Sequence, residues 1–200
     1  MVTYEMVGGR TCLDFVNTGS QRRVGPFKEK LETYDDLLTW AIQAGQLTDA
    51  EATDLRAKAA ASPEQADAVV ERGRVLREAI YRVFTKLSAG EPLPAGDLKL
   101  ISSEYGRAAV NRLLTPSGVG VCTFEWQTHD ALDRPLWPVA VSATNLVASE
   151  DASRVKECAT ENCNWLFLDA SKNRSRRWCE MKECGNRAKA RRHYQKSKTS

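Results

Sequence analysis

The chain has 200 residues, 42% hydrophobic and 28% charged, with a formal net charge of +3. That balance excludes wholesale disorder, and no apolar run approaches the ~20 residues of a membrane-spanning helix. Met1-Val2-Thr3-Tyr4-Glu5 has neither the basic stretch nor the apolar core of a secretory signal, so a cytoplasmic protein without a membrane partner is expected.

Thr11-Cys12-Leu13-Asp14-Phe15-Val16 is apolar and β-leaning, and Asn17-Thr18-Gly19-Ser20 breaks it. Thr33 is the expected N-cap of a helix to about Ala44, with Leu37, Leu38, Ala41 and Ile42 inward and Gly45 as the stop. Thr48, followed by Asp49 and Glu51, starts an Ala-rich helix to about Ala61. Ser62-Pro63-Glu64-Gln65 opens a long helix to about Leu87, whose stripe is Val69, Leu76, Ile80, Val83, Phe84 and Leu87. After a Gly/Pro loop, residues 97–114 read as helix, Pro116-Ser117-Gly118 as a turn, and residues 119–126 as a strand. Leu136 to Ala148 is a helix with Pro138 in its first turn, and the polar segment 149–153 is the expected boundary between two domains. The fold class read from these elements is α+β. A mostly helical N-terminal domain with a small β component, residues 1–150, precedes a small C-terminal unit, residues 153–196.

Charge is segregated along the same boundary. Residues 1–150 carry sixteen Lys and Arg against twenty Asp and Glu, and residues 151–200 carry thirteen against six. A mildly acidic body therefore bears a basic tail of net +7, a distribution that suits a polyanion partner or a merely solvated tail. From Lys172 onward there are eleven basic residues and two acids, Glu180 and Glu183.

Cysteine is segregated too. Cys158, Cys163, Cys179 and Cys184 follow C-x4-C-x15-C-x4-C, whereas Cys12 and Cys122 lie alone in apolar runs and read as buried, inert thiols. In a secreted miniprotein the even count would mean disulfides. In a cytosolic chain of this size two short-spaced pairs mean one structural zinc, each pair forming a knuckle of a closed, tetrahedral four-thiolate site. About fifty residues cannot bury enough apolar surface alone, and zinc supplies on the order of 10 kcal/mol of folding free energy to such a unit.

Between the knuckles, Asn164 to Asp169 alternates as a strand, residues 170–173 resemble a turn, and Arg174 to Trp178 follows as a second strand of a hairpin. A helix from about Gly185 to Gln195 starts at the last ligand, and this order of elements is that of a treble-clef finger. Trp165, Phe167 and Trp178 are its expected core, with stacking on unpaired bases as the alternative.

These residues resemble a known family. Cys158-x4-Cys163-Asn164-Trp165-Leu166-Phe167-x-Asp169-x-Ser171-x-Asn173-Arg174-Ser175-Arg176-Arg177-Trp178-Cys179-x-Met181-x2-Cys184-Gly185-Asn186-Arg187-x-Lys189 is similar to the CGNR zinc finger. Leu13-Asp14-Phe15-Val16-Asn17-Thr18 and Asp36-Leu37-Leu38-x-Trp40-x3-Ala44-Gly45 resemble, more loosely, the ABATE domain that precedes it. The resemblance implies an α/β N-terminal domain, a treble-clef finger and a role in bacterial, stress-linked transcription regulation.

For such a role Arg174, Arg176, Arg177, Arg187, Lys189, Arg191, Arg192 and Lys196 are the expected contacts to double-stranded DNA, mostly to phosphate. On the last helix Lys189, Arg192 and Lys196 form one basic face, Arg187 and Arg191 a second, while Ala190 and Tyr194 are expected to pack the helix onto the finger. Asn186 and Arg187 stand where bases are read, although shaping the knuckle or bracing the finger through Asp169 explains them as well. Arg10, Asp14, Asn17, Thr18 and Arg22 crowd polar groups beside an apolar segment, as in the wall of a small-molecule effector pocket; capping and turn chemistry accounts equally for Asp14, Asn17 and Thr18. A homodimer through the N-terminal domain would help a single finger to gain specificity.

His129 and His193 have no catalytic neighbourhood and no nucleophile or nucleotide motif occurs, so an enzyme is not expected. The rival reading is a protein-interaction module whose basic finger docks on an acidic protein partner, with RNA binding as a third.

Overall fold

The structure, a computed structural model, describes residues 2–20, 26–127 and 131–198, apart from the side chains of 192, 193 and 195–198. Arg22 and His129 lie outside the described residues, as do the side chains of Arg192, His193 and Lys196.

The body is built around α4 (Pro63–Ser88), which buries Val69, Val70, Leu76, Ala79, Ile80, Val83 and Phe84 along one stripe. At 1.5 Å per residue it is about 39 Å long, enough to carry the other helices side by side. Against it pack α1 (Thr11–Val16), α2 (Tyr34–Gln43), α3 (Asp49–Ala61) and α5 (Ala95–Ala109), while α6 (Trp137–Val147) covers α1 and α5. The capping signals act as their residue types require. The Thr33 hydroxyl accepts from the Asp36 N–H while the Asp36 carboxylate accepts from the Thr33 N–H, and Thr48 and Glu51 do the same on α3. Gly45, at φ 66°, supplies the left-handed residue that lets Gln46 N–H return to Ala41 C=O.

Three two-stranded antiparallel sheets complete the fold. They are β1 (Gly19–Ser20) with β2 (Lys28–Glu29), β3 (Arg112–Gly118) with β4 (Val121–Trp126), and β5 (Val155–Glu157) with β6 (Leu166–Leu168). The buried Arg77 guanidinium on α4 anchors β2 through two bonds to the Glu29 carboxylate, at 2.5 and 2.7 Å. No helix among the described residues is long and apolar enough to cross a membrane.

Four local expectations are corrected. The β-leaning run 11–16 is the helix α1, because it buries Cys12, Leu13, Phe15 and Val16, a helical spacing that a six-residue apolar run cannot distinguish from a strand. The helix expected to reach residue 114 ends at Ala109; Asn111 caps it by bonding Arg107 C=O, and Leu113 and Leu114 pair with Glu125 and Phe124 across a hairpin. Cys122 therefore sits exposed on β4 rather than buried, whereas Cys12 is fully buried and its thiol is pushed up by that burial to about 12. Finally, the strand after the second ligand does not pair with Arg174–Trp178. Asn164, at φ 61°, turns the chain so that β6 runs back along β5, and Cys158 N–H bonds to Trp165 C=O.

β6 is also where the C-terminal segment enters the body. Val155, Leu166 and Leu168 belong to the same apolar cluster as Leu13, Phe15, Ile80 and Phe84. The Asn17 amide clasps β6 at Leu166, donating to its C=O and accepting from its N–H, both at 2.9 Å. Leu168 N–H bonds to Gly8 C=O, and Gly8 itself lies so close to α1 that a Cβ there would be 2.8 Å from Asp14 N.

Candidate metal centre and nucleic-acid interface

The first knuckle closes when Cys163 N–H bonds to Thr160 C=O, and the second is a π-turn over Met181–Gly185 in which Gly185 N–H bonds to Glu180 C=O. The Met181 side chain folds over Gly185, where a Cβ would meet its Sδ at 2.5 Å. The knuckles are joined by the Thr160 hydroxyl, which donates to Cys184 C=O at 3.3 Å.

All four Sγ atoms lie within 4.8 Å of one another, and the Cys163–Cys179 and Cys179–Cys184 pairs are 3.6 Å apart. A tetrahedron with Zn–S bonds of ~2.3 Å has S···S edges of about 3.8 Å, so this donor set fits zinc. Four neighbouring thiolates need a cation, and the chain binds one zinc through Cys158, Cys163, Cys179 and Cys184. Phe167 is fully buried against these cysteines, with Val7, Trp165 and Trp178 packed around them.

The loop between the knuckles is organised by Asp169, which is fully buried. Burial by itself would raise its pKa. The Lys156 ammonium at 2.6 Å, the Ser171 hydroxyl and N–H, and the Arg176 N–H outweigh it and hold the carboxyl well below the usual carboxylate range.

Arg176 has an internal task in place of the expected DNA contact. Its guanidinium donates to the carbonyls of Trp178, Cys179 and Val7 and lies 4.5 Å from the Phe167 ring centroid, bracing zinc knuckle to body. Asn186 likewise spends its amide on Lys182 C=O at 2.8 Å, at the start of α7 (Asn186–Lys198). Arg174, Arg177, Arg187, Lys189 and Arg191 are all exposed. Arg177, Arg187 and Arg191 converge on one cleft of about 460 Å³, with Trp178, Thr160 and Glu161 as its other principal walls. Arg191 pairs with Glu161 and Arg187 reaches Glu183 at 4.0 Å, exposed ion pairs that are easily exchanged for phosphate. Ala190 and Tyr194 are exposed, contrary to expectation, and Ala188 is the most buried of the helix's described side chains. Trp178 both packs on the zinc cluster and lines the cleft.

The expected effector pocket does not form from its described residues. Asp14 accepts from Gly8 N–H, Asn17 clasps Leu166, Thr18 donates to Phe15 C=O and Arg10 pairs with Asp151. Their polar groups are used in holding the fold, and the cavity that Arg10 lines is shared with Ser142, Asn145 and Asp151 rather than with Asp14, Asn17 or Thr18. The Asn17 clasp and the Lys156–Asp169 pair escaped sequence reading because their partners lie 149 and 13 residues away.

A family model for ABATE, described as "Putative stress-induced transcription regulator", matches residues 9–150, and a model of the CGNR zinc finger matches residues 154–197. No curated protein gave a match. The chain, with its four-thiolate centre and the helical body clasped to it, belongs to the ABATE family and ends in a CGNR zinc finger.

Proposed function

We propose that this regulatory zinc protein binds double-stranded DNA through the basic face of its finger, while the body pairs two copies so that two fingers meet two half-sites. The observation that carries this reading is the convergence of Arg177, Arg187 and Arg191 on one cleft beside the zinc centre. Guanidiniums there meet phosphate oxygens by charge-assisted bonds, and Arg174 and Lys189 extend the contact along the backbone. Zinc plays a structural part: four thiolates fill its coordination sphere and leave no position for substrate, which supports a binding protein rather than an enzyme. Reduced cysteines at such a site suit the cytoplasm.

The test is fluorescence anisotropy of a labelled duplex titrated over a range of salt. If the five exposed cations each neutralise one phosphate, log K falls with log salt with a slope of about −4.5, and more steeply if Arg192 and Lys196 take part. Absence of salt-dependent duplex binding at low ionic strength refutes the reading. A stoichiometric acidic protein partner that survives nuclease treatment favours the interaction module instead.

A further inference from the structure

The hairpin β3–β4 stands apart from the economy of the rest of the molecule. It carries Leu113, Leu114, Val119, Val121 and Phe124 in exposed positions, with Leu114 at 65%, Val121 at 57% and Phe124 at 52% of full exposure. An isolated two-stranded hairpin is marginal in water; at the base of this one Trp126 packs on Trp137 and under the Arg134 guanidinium.

Its two faces and two edges are unequal. Leu114 opposes Phe124 and Pro116 opposes Cys122, so those four side chains share one face, with the Arg112 guanidinium 3.7 Å from the Phe124 ring centroid, whereas Leu113, Thr115, Thr123 and Glu125 lie on the other. Gln127 N–H bonds to Asn111 C=O, so by the alternation of an antiparallel ladder the pairs 113/125 and 115/123 carry the inner hydrogen bonds. The backbone groups of residues 114 and 116 on β3, and of 122 and 124 on β4, then point outward. On β3 the outward N–H at 116 is missing because the residue is proline, which blunts that edge. On β4 the N–H and C=O of Cys122 and Phe124 stand ready for another strand.

We propose that β4 pairs with β4 of a second copy of this chain, antiparallel across a two-fold axis centred near Thr123, forming a four-stranded sheet. Three observations select a second copy. A two-fold axis makes an antiparallel edge self-complementary, so the patch needs no other surface. Residues 110–126 carry one Arg, Arg112, and one acid, Glu125, so two such hairpins meet without net repulsion. In the paired sheet Phe124 of each copy lies opposite Cys122 of the other, so the exposed Phe124 ring and the exposed Cys122 side chain meet across the seam. This inference rests on the dimerising half of the proposed function and needs no DNA.

The experiment is sedimentation equilibrium of the zinc-loaded full chain without nucleic acid. The wild type is expected to be a dimer, and Phe124→Lys to raise its dissociation constant at least 30-fold, roughly the effect of losing one hot-spot residue. Cys122→Pro, which removes an outward N–H and no inner bond, is expected to do the same. Far-UV circular dichroism and zinc content check that both variants fold. In the paired sheet the two Cys122 thiols lie within about 10 Å, so a short bis-maleimide is expected to cross-link the wild type and not Cys122→Ser. A wild type that is monomeric at its highest soluble concentration, a dimer that survives Phe124→Lys, or a dimer not cross-linked at Cys122 overturns the proposal. Failure of DNA binding with the dimer intact would overturn only the finger's part of the function.

Discussion

Replacing Asn17 by Leu keeps the number and branching of side-chain heavy atoms and removes both hydrogen bonds to Leu166, leaving a buried N–H and a buried C=O without partners. Asn17 is only 4% exposed and Leu166 fully buried, so water cannot take its place. Each orphaned backbone group costs about 1–3 kcal/mol, which puts the loss for the two at about 2–6 kcal/mol. For a chain of 200 residues each kcal/mol corresponds to about 2–4 °C, so Tm is expected to fall by at least about 4 °C. Asn17→Asp should be worse than a half-loss, because the carboxylate still accepts from Leu166 N–H but turns an acceptor, and a buried charge, toward Leu166 C=O. Urea unfolding of the zinc-loaded protein, followed by tryptophan fluorescence, measures both. An Asn17→Leu variant within about 0.5 kcal/mol of wild type would refute the clasp as a source of stability.

Because Val155, Leu166 and Leu168 lie in the body's core, zinc chelation is expected to lower the melting temperature of the whole protein, in contrast to a separately folded finger that would leave the body untouched; metal analysis should give about one zinc per chain. Burial pushes the Asp14 carboxyl up to about 6 from 3.8, against the lowering effect of the Gly8 N–H. The folded state therefore holds this proton more tightly than the unfolded state, and stability contributed here rises as pH falls from about 6 toward 3.8. Asp14→Asn keeps an acceptor for Gly8 and is expected to be more stable than wild type at pH 7 by on the order of 2–3 kcal/mol, with the gap closing near pH 4; parallel pH-stability curves would contradict this. Arg176→Ala should destabilise the finger and leave the salt slope of DNA binding unchanged, whereas Arg187→Ala should reduce that slope by about one with little effect on Tm.

Much of this protein was legible before folding was considered. The zinc ligands are set by cysteine chemistry and spacing, the helices at Thr33 and Thr48 by capping boxes, and the helix at Pro63 by the fixed φ of a proline in its first turn. The basic tail needs only a count. What escaped were features whose meaning depends on distant partners. Asn17 reads as a turn residue until Leu166 is brought beside it, and Arg176 reads as one more cation until the carbonyls of Val7, Trp178 and Cys179 surround its guanidinium. Residues 11–16 and 112–114 are too short for periodicity to separate helix from strand, and burial decided them.

The sequence by itself determined a zinc centre, a basic finger and a helical body, because ligand spacing, charge and local capping are properties of neighbouring residues. Only the tertiary structure decided that finger and body share a core, which arginines face solvent, and that an apolar hairpin projects from the body. These depend on which surfaces the chain brings together across more than a hundred residues, where burial and unpaired backbone groups outweigh any local preference.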